Sequence, residues 1–380
     1  MSRIRFLHTD HLRLGSPLTG LAECPEWLRS CAANAVRRSV ANLVEIAIAE
    51  RCQFVLFAGR ITDRPEDQNA ASAWLSGLLT QLHKNGIGLV FGSQSSLDQS
   101  AFRSLNVTRC GADERLEVSL DERRQLQLRT QRGFSPRDTH PRFFVEILTT
   151  EGRQSLASAG EMIYRAVPNA APTSSGRPFS DESPVCHDGV ISVTAGSPQA
   201  ISPDERGVFG CRIVDVDTDQ RTIVTRVRPT DELRYSREQL PCSSDMATSN
   251  LRELILERSG GLGVRPERTT VVDWIVEGQL QAGPEHGGLW DEPALLAELR
   301  KRLNGGHAGM WPRRVYFGHA SEFSAGSRAG LAVHEFLNVM AVHRSRHLPY
   351  PMHSSTDTTA SAGSSGNQTA AGLQFLLRAA

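Results

Sequence analysis

Lysine is almost missing from this chain: of its 42 basic residues only Lys84 and Lys301 are lysines, and the rest are arginines. Asp and Glu also number 42, so no net charge remains to draw the whole protein to a polyanion or a membrane surface. Any such binding must come from a local patch, and arginine suits one because its planar fork matches phosphate oxygens. Cysteine is sparse as well. The seven thiols form no C-x-x-C pair and are odd in number, which argues against a zinc site or a disulfide frame and for a reducing compartment. No apolar run approaches the roughly 18 residues that a membrane span needs. The first residues lead into a strand without the charged and apolar regions of a signal peptide, so a cytoplasmic protein is expected. There is no G-x-S-x-G turn for a serine hydrolase. Gly260-Gly261-Leu262-Gly263 lacks the lysine of a phosphate loop and reads as a plain turn.

What is present is a regular alternation of elements. Arg3–Leu7 reads as a strand, and Pro25–Cys52 as a helix with Leu28, Cys31, Ala35, Val36, Val40, Leu43 and Ala47 recurring at helical steps. Phe54–Ala58 is an apolar run ending at Gly59, as expected of a strand buried on both faces. A second helix carries Ala73, Trp74, Leu78, Leu79 and Leu82, and Ile87–Phe91 follows as a strand. Strand, helix, strand, helix, strand predicts a parallel α/β sheet with right-handed crossovers, whose ligands sit beyond the carboxyl ends of the strands. Further strands are expected at Phe143–Leu148, Ile163–Val167, Val190–Ala195, Cys211–Val216 and Thr222–Val227, with a turn at Asp217-Thr218-Asp219. At 380 residues the chain predicts two domains and a tail: 1–230, a small α+β module over 231–350, and a Ser/Thr/Ala/Gly-rich tail over 351–380 expected to be disordered. The module is read from helices at Met246–Arg258 and Pro293–Leu303 and strands at Thr270–Val276 and Arg313–Phe317.

Four of the strand ends share a further pattern. They are Phe6-Leu7-His8-Thr9-Asp10-His11-Leu12-Arg13-Leu14-Gly15-Ser16-Pro17, Phe57-Ala58-Gly59-Arg60, Val90-Phe91-Gly92-Ser93-Gln94-Ser95 and Ala166-Val167-Pro168-Asn169-Ala170-Ala171. The first is similar to the opening F-L-H-T-A-D-L-H-L-G-S-P of the SbcD-like DNA-repair exonucleases, calcineurin-like metallophosphoesterases. Pro25–Gly59, Ala195-Gly196-Ser197-Pro198-Gln199 with the strand after it, and Thr270–Val276 with Pro293–Leu303 extend the resemblance over roughly residues 3–320. It implies an α/β fold: a sandwich of two sheets flanked by helices, with a small α+β capping domain. Active members hold two divalent ions, usually manganese, and cut DNA ends together with an SMC-like ATPase.

The ligands of those ions are replaced here. The family's D-x-H falls on His11 and Arg13, with Asp10 one position early and therefore on the other face of the strand. G-D becomes Gly59-Arg60, with Asp63 at a trailing position; G-N-H-D becomes Gly92-Ser93-Gln94-Ser95; and G-H-x-H becomes Pro168-Asn169-Ala170-Ala171. A further family histidine falls at about Thr149. A pair of divalent ions needs a bridging anion. A guanidinium ~4 Å away, even at an effective dielectric near 20, instead opposes each unit of ionic charge by roughly 4 kcal/mol. The resemblance therefore implies a pseudoenzyme with no catalytic residue and no cofactor, serving as a binding or scaffold subunit with an SMC-like ATPase and DNA as partners. Arg13 and Arg60, with His8 and Gln94, are candidates to grip a phosphate directly. The plainer alternative pairs the arginines with local acids or carbonyls. The catalytic alternative is a metal-dependent phosphodiesterase or exonuclease whose rebuilt site, His8, Asp10, His11 and Asp63, holds a divalent metal such as manganese. A third reading is an anion-sensing module for a nucleotide or small phosphate. Arg123–Arg137 is expected to be a solvated loop or helix face, or a track for a nucleic-acid backbone. Gly318-His319-Ala320-Ser321 with Glu322 resembles G-H-x-H only by eye.

Overall fold

Strand β1, Arg3–Thr9, alternates two faces: Ile4, Phe6 and His8 on one, Leu7 and Thr9 on the other, all buried. That double burial makes it the centre of the fold. In a computed structural model, seven strands form one sheet in the order β4-β3-β2-β1-β11-β12-β9, with β2 at Phe54–Phe57, β3 at Gly88–Gly92, β4 at Val107–Cys110, β9 at Val185–His187, β11 at Gly210–Asp217 and β12 at Thr222–Pro229. The structure describes residues 3–21, 23–92, 99–105, 107–111, 114–120, 126–132, 142–147, 161–167, 185–187, 189–242, 246, 248–262, 268–277, 292–304 and 309–317. Strands β1 to β4 run parallel, whereas β11 joins β1 antiparallel. The parallel half is linked by α1, Glu26–Ala49, and α2, Gln68–Lys84. Both helices pack Val36, Val40, Leu43, Leu75, Leu79 and Leu82 onto the Leu7, Val55, Phe57 and Phe91 face of the sheet.

The other face packs on a second sheet of order β10-β8-β7-β5-β6, formed by β5 (Glu114–Leu120), β6 (Leu126–Arg132), β7 (Arg142–Ile147), β8 (Glu161–Ala166) and β10 (Val190–Val193). Ile4, Phe6, Phe54, Leu56 and Val90 interleave there with Leu116, Val118, Phe143, Val145 and Tyr164. Period-2 alternation on both sheets is what gives each an apolar inner face. Residues 126–132, inside the arginine-rich stretch, are neither loop nor helix but a strand paired antiparallel with β5, because Leu126 and Leu128 alternate onto the shared core.

The remaining strands β13 (Leu233–Pro241), β14 (Thr269–Glu277) and β15 (Met310–Phe317) make a three-stranded sheet, with helices α3 at Thr248–Gly261 and α4 at Glu292–Asn304. By compactness the described residues divide into one unit within Met1–Ser236, Ser259–Val272 and Glu298–Arg313, and another within Arg237–Arg258, Asp273–Ala297 and 314–317. Gln94, Thr149, Asn169 to Ala171, His319, Glu322, the stretch 338–351 and the tail lie outside the described residues. Among the described residues no helix is long and apolar enough to cross a membrane.

At the carboxyl end of α1, Glu50 ties that helix to the second half of β12. Its Oε1 accepts from Arg228 Nε at 2.9 Å and Nη2 at 2.6 Å, and its Oε2 from Arg226 Nη2 at 2.6 Å. Burial pulls the Glu50 carboxyl up, but the hydrogen bonds from Arg228 and Arg226 outweigh it and hold the group below its ordinary 4.5. A folded value below the unfolded one adds stability above pH 4.5 that is lost as the pH falls through the folded value. Glu50→Gln should therefore lower stability at pH 7 and flatten the decline below pH 4.5. Urea midpoints between pH 7 and pH 3 measure this, and parallel acid limbs for the two proteins would contradict it.

Candidate functional site

Beyond the end of β1 the chain leaves the sheet and is fastened on several sides. Leu12 and Leu14 donate backbone N–H groups to the carbonyls of Arg60 and Ile61, both at 2.9 Å, so residues 10–14 run along the loop after β2. Gly59 permits that approach: a Cβ there would lie 2.7 Å from His11 Nδ1 and 2.8 Å from the Asp10 carbonyl carbon. The geometry then assigns each candidate side chain to a different partner.

His8 and Asp10 share one face and enter the space between the sheets. His8 is fully buried, and its Nδ1 lies 2.8 Å from the Tyr164 hydroxyl on β8. Burial pushes the Tyr164 phenol well above its ordinary value, so it stays protonated and can donate to Nδ1. Asp10 Oδ2 accepts from the Gly196 N–H at 2.8 Å, and the Asp10 N–H donates to the Gly196 carbonyl at 3.0 Å. The two remaining atoms, His8 Nε2 and Asp10 Oδ1, stand 3.1 Å apart. They are off the line a hydrogen bond requires, so each is buried without a hydrogen-bond partner among the described residues. Arg212, opposite His8 on β11, is buried beside them and donates from Nε to the Thr194 carbonyl at 3.0 Å. Burial pulls its pKa down, while Tyr164 and Asp10 act in the opposite sense.

His11 and Arg13, at the D-x-H positions, turn elsewhere. His11 Nδ1 accepts the Arg60 backbone N–H at 2.9 Å. Arg13 Nη1 donates to both carboxylate oxygens of Glu205, at 2.6 and 2.7 Å, with the two side chains 7% and 9% exposed. Its backbone is left-handed, with φ of 55°, which is unusual for a residue bearing a Cβ. Arg60 is exposed, and its guanidinium has no partner among the described residues. Asp63 is exposed and accepts from the Ser16 hydroxyl at 2.8 Å.

The residues therefore do not fit a pair of divalent ions. His8 and Asp10 face the inter-sheet core, His11 faces a backbone amide and Asp63 faces Ser16, so the four do not converge. Among the described residues no group of three His, Cys, Asp or Glu side chains could hold a metal ion. Apolar side chains occupy the strand tips instead: Ala58, Ile147 and Ala166 belong to the inter-sheet core, and a Cβ on Gly92 would lie 2.7 Å from the Ala58 carbonyl oxygen. Tyr164, Glu205 and Arg212 escaped the sequence reading, and Gly196 entered it only as part of the resemblance at Ala195–Gln199. Tyr164 and Arg212 could have been found, because each alternates with apolar residues on one face of an expected strand, Tyr164 with Met162 and Ala166, Arg212 with Val214 and Val216. Glu205 had no local signal, since it is 192 residues from Arg13.

No protein-family model matches the chain. Over 99 residues it is 26% identical to a Bacillus subtilis (strain 168) protein described as an uncharacterized metallophosphoesterase, YhaO. The matched stretch is 26% of this chain and 24% of that protein, so the chain spans about a quarter of its relative's length. That likeness supports the calcineurin-like superfamily, and the mixed α/β architecture is consistent with a metallophosphoesterase-like fold.

Proposed function

We propose that this chain is a catalytically silent relative of the metallophosphoesterases, of SbcD-like type, that binds phosphate-bearing ligands rather than cleaving them. In this reading it works as a binding or scaffold subunit, with DNA and an SMC-like ATPase as partners in repair. The observation that carries it is the fate of the D-x-H positions. One is a histidine whose Nδ1 is turned to the Arg60 amide, and the other is an arginine, a side chain that cannot ligate a cation, paired with Glu205. The exposed Arg60 supplies the positive charge that an anion needs, while the charge of Arg13 beside it is held by Glu205.

Two measurements on the full chain test the reading. A nitrophenyl phosphodiester assay with added manganese should give no turnover above background, and elemental analysis should find no stoichiometric manganese, iron or zinc. Turnover that a chelator abolishes would overturn it. Binding of a short DNA duplex should weaken with salt, and Arg60→Ala should weaken it further and reduce the salt slope by about one.

A further inference from the structure

We infer that Glu205 is an internal anion: an autoinhibitory carboxylate that occupies Arg13 until a phosphate group takes its place. This rests on the binding reading and adds its regulation. Three observations carry it.

The first is the way the pair is made. Both Glu205 oxygens converge on one nitrogen, Arg13 Nη1, at 2.6 and 2.7 Å. Arginine and carboxylate ordinarily match through two parallel N–H groups on different nitrogens. Here Nε and Nη2 have no hydrogen-bond partner among the described residues, and neither is among the buried atoms that lack one. The guanidinium thus keeps donors for a second acceptor while its charge is held by the first.

The second is the backbone. Arg13 sits at φ 55°, a conformation that side chains with a Cβ rarely adopt. Strain of this kind persists only where the surroundings enforce it, and it is common in ligand clamps and switches. The third is the independent tether of the acid: Glu205 Oε2 also accepts the Ile201 N–H at 2.8 Å. Glu205 therefore keeps a partner if Arg13 leaves it, which lowers the cost of exchange. Both residues lie in loops that follow strands β1 and β10, at the carboxyl-end edge where open α/β sheets receive ligands. Phosphate offers the same acceptor chemistry as the carboxylate with more oxygens and more charge. No covalent step is involved. Arg13 exchanges one oxyanion for another.

The test uses thermal melts of the full chain in EDTA, with inorganic phosphate as the probe and sodium chloride at matched ionic strength as the control. Glu205→Gln removes the internal anion, so phosphate should bind it at least about tenfold more tightly than the wild type. At one phosphate concentration its melting temperature should then rise by about 2 °C or more beyond the wild-type rise. The double variant Arg13→Ala/Glu205→Gln should show neither gain. Should Glu205→Gln be unfolded in chloride, phosphate should restore its cooperative melt, and failure to do so counts against the proposal. Equal phosphate effects on wild type and Glu205→Gln, or an undiminished gain in the double variant, would overturn it. Metal-dependent turnover by the wild type would sink the binding reading separately, since these melts contain chelator.

Discussion

Arg13→Ala is expected to destabilise the protein by about 3–5 kcal/mol, measured as a shift in the urea midpoint at pH 7. The reason is the state in which it leaves Glu205. That carboxylate is 9% exposed and would keep only the Ile201 N–H, so a buried charge would lose its counter-charge. A surface arginine serving only to meet a ligand would cost no more than about 0.5 kcal/mol on removal, so the size of the effect separates the two roles. Two companions refine it. Arg13→Gly should be less damaging than Arg13→Ala by about 0.5–1 kcal/mol, because the left-handed backbone at 55° suits glycine. Arg13→Met/Glu205→Leu, which removes both charges and keeps the volume, should recover most of the loss. A midpoint for Arg13→Ala within about 1 kcal/mol of wild type would show that the pair is not a structural tie.

The same pair marks where the sequence stops being readable. Local pattern carried far: the unbroken apolar run at Phe54–Phe57 read as a strand covered on both sides, and the three- and four-residue recurrence of Val36, Val40, Leu43 and Ala47 read as a helix with one buried stripe. The face rule carried into the site as well. Asp10 differs by one position from the related ligand, and that single step puts it beside His8 between the sheets, away from His11. Partners were another matter. Arg13 invited a counter-charge from Asp10 or Asp63, on the neighbouring strand ends, and found it at Glu205, which the chain's passage through the mixed second sheet brings back. Strand β6 was obscured for a different reason. Its arginines gave the stretch the look of a solvated run, while only Leu126 and Leu128 carried the alternation that an edge strand needs.

Phe6→Ala should cost about 3–5 kcal/mol, and its consequences should reach the site. Phe6 is fully buried, stacked on Phe54 with centroids 4.5 Å apart and rings 10° from parallel, and meets the Tyr164 ring edge-on at 5.1 Å. Removing it opens a cavity between the two sheets and takes one wall from Tyr164, whose hydroxyl is the partner of His8 Nδ1. Leu7→Ala offers the control. Leu7 is equally buried, but packs on the helix side of the same strand, where its loss should cost about 2–5 kcal/mol without touching Tyr164. A double-mutant cycle with Tyr164→Phe separates the two. Phe6→Ala and Tyr164→Phe should couple by more than about 0.5 kcal/mol, whereas Leu7→Ala and Tyr164→Phe should add within that margin. Coupling of the first pair alone would mean that the aromatic packing between the sheets holds the His8–Tyr164 bond in place. Additivity in both cycles would instead mean that the polar cluster is held from the loop side, through Asp10 and Gly196.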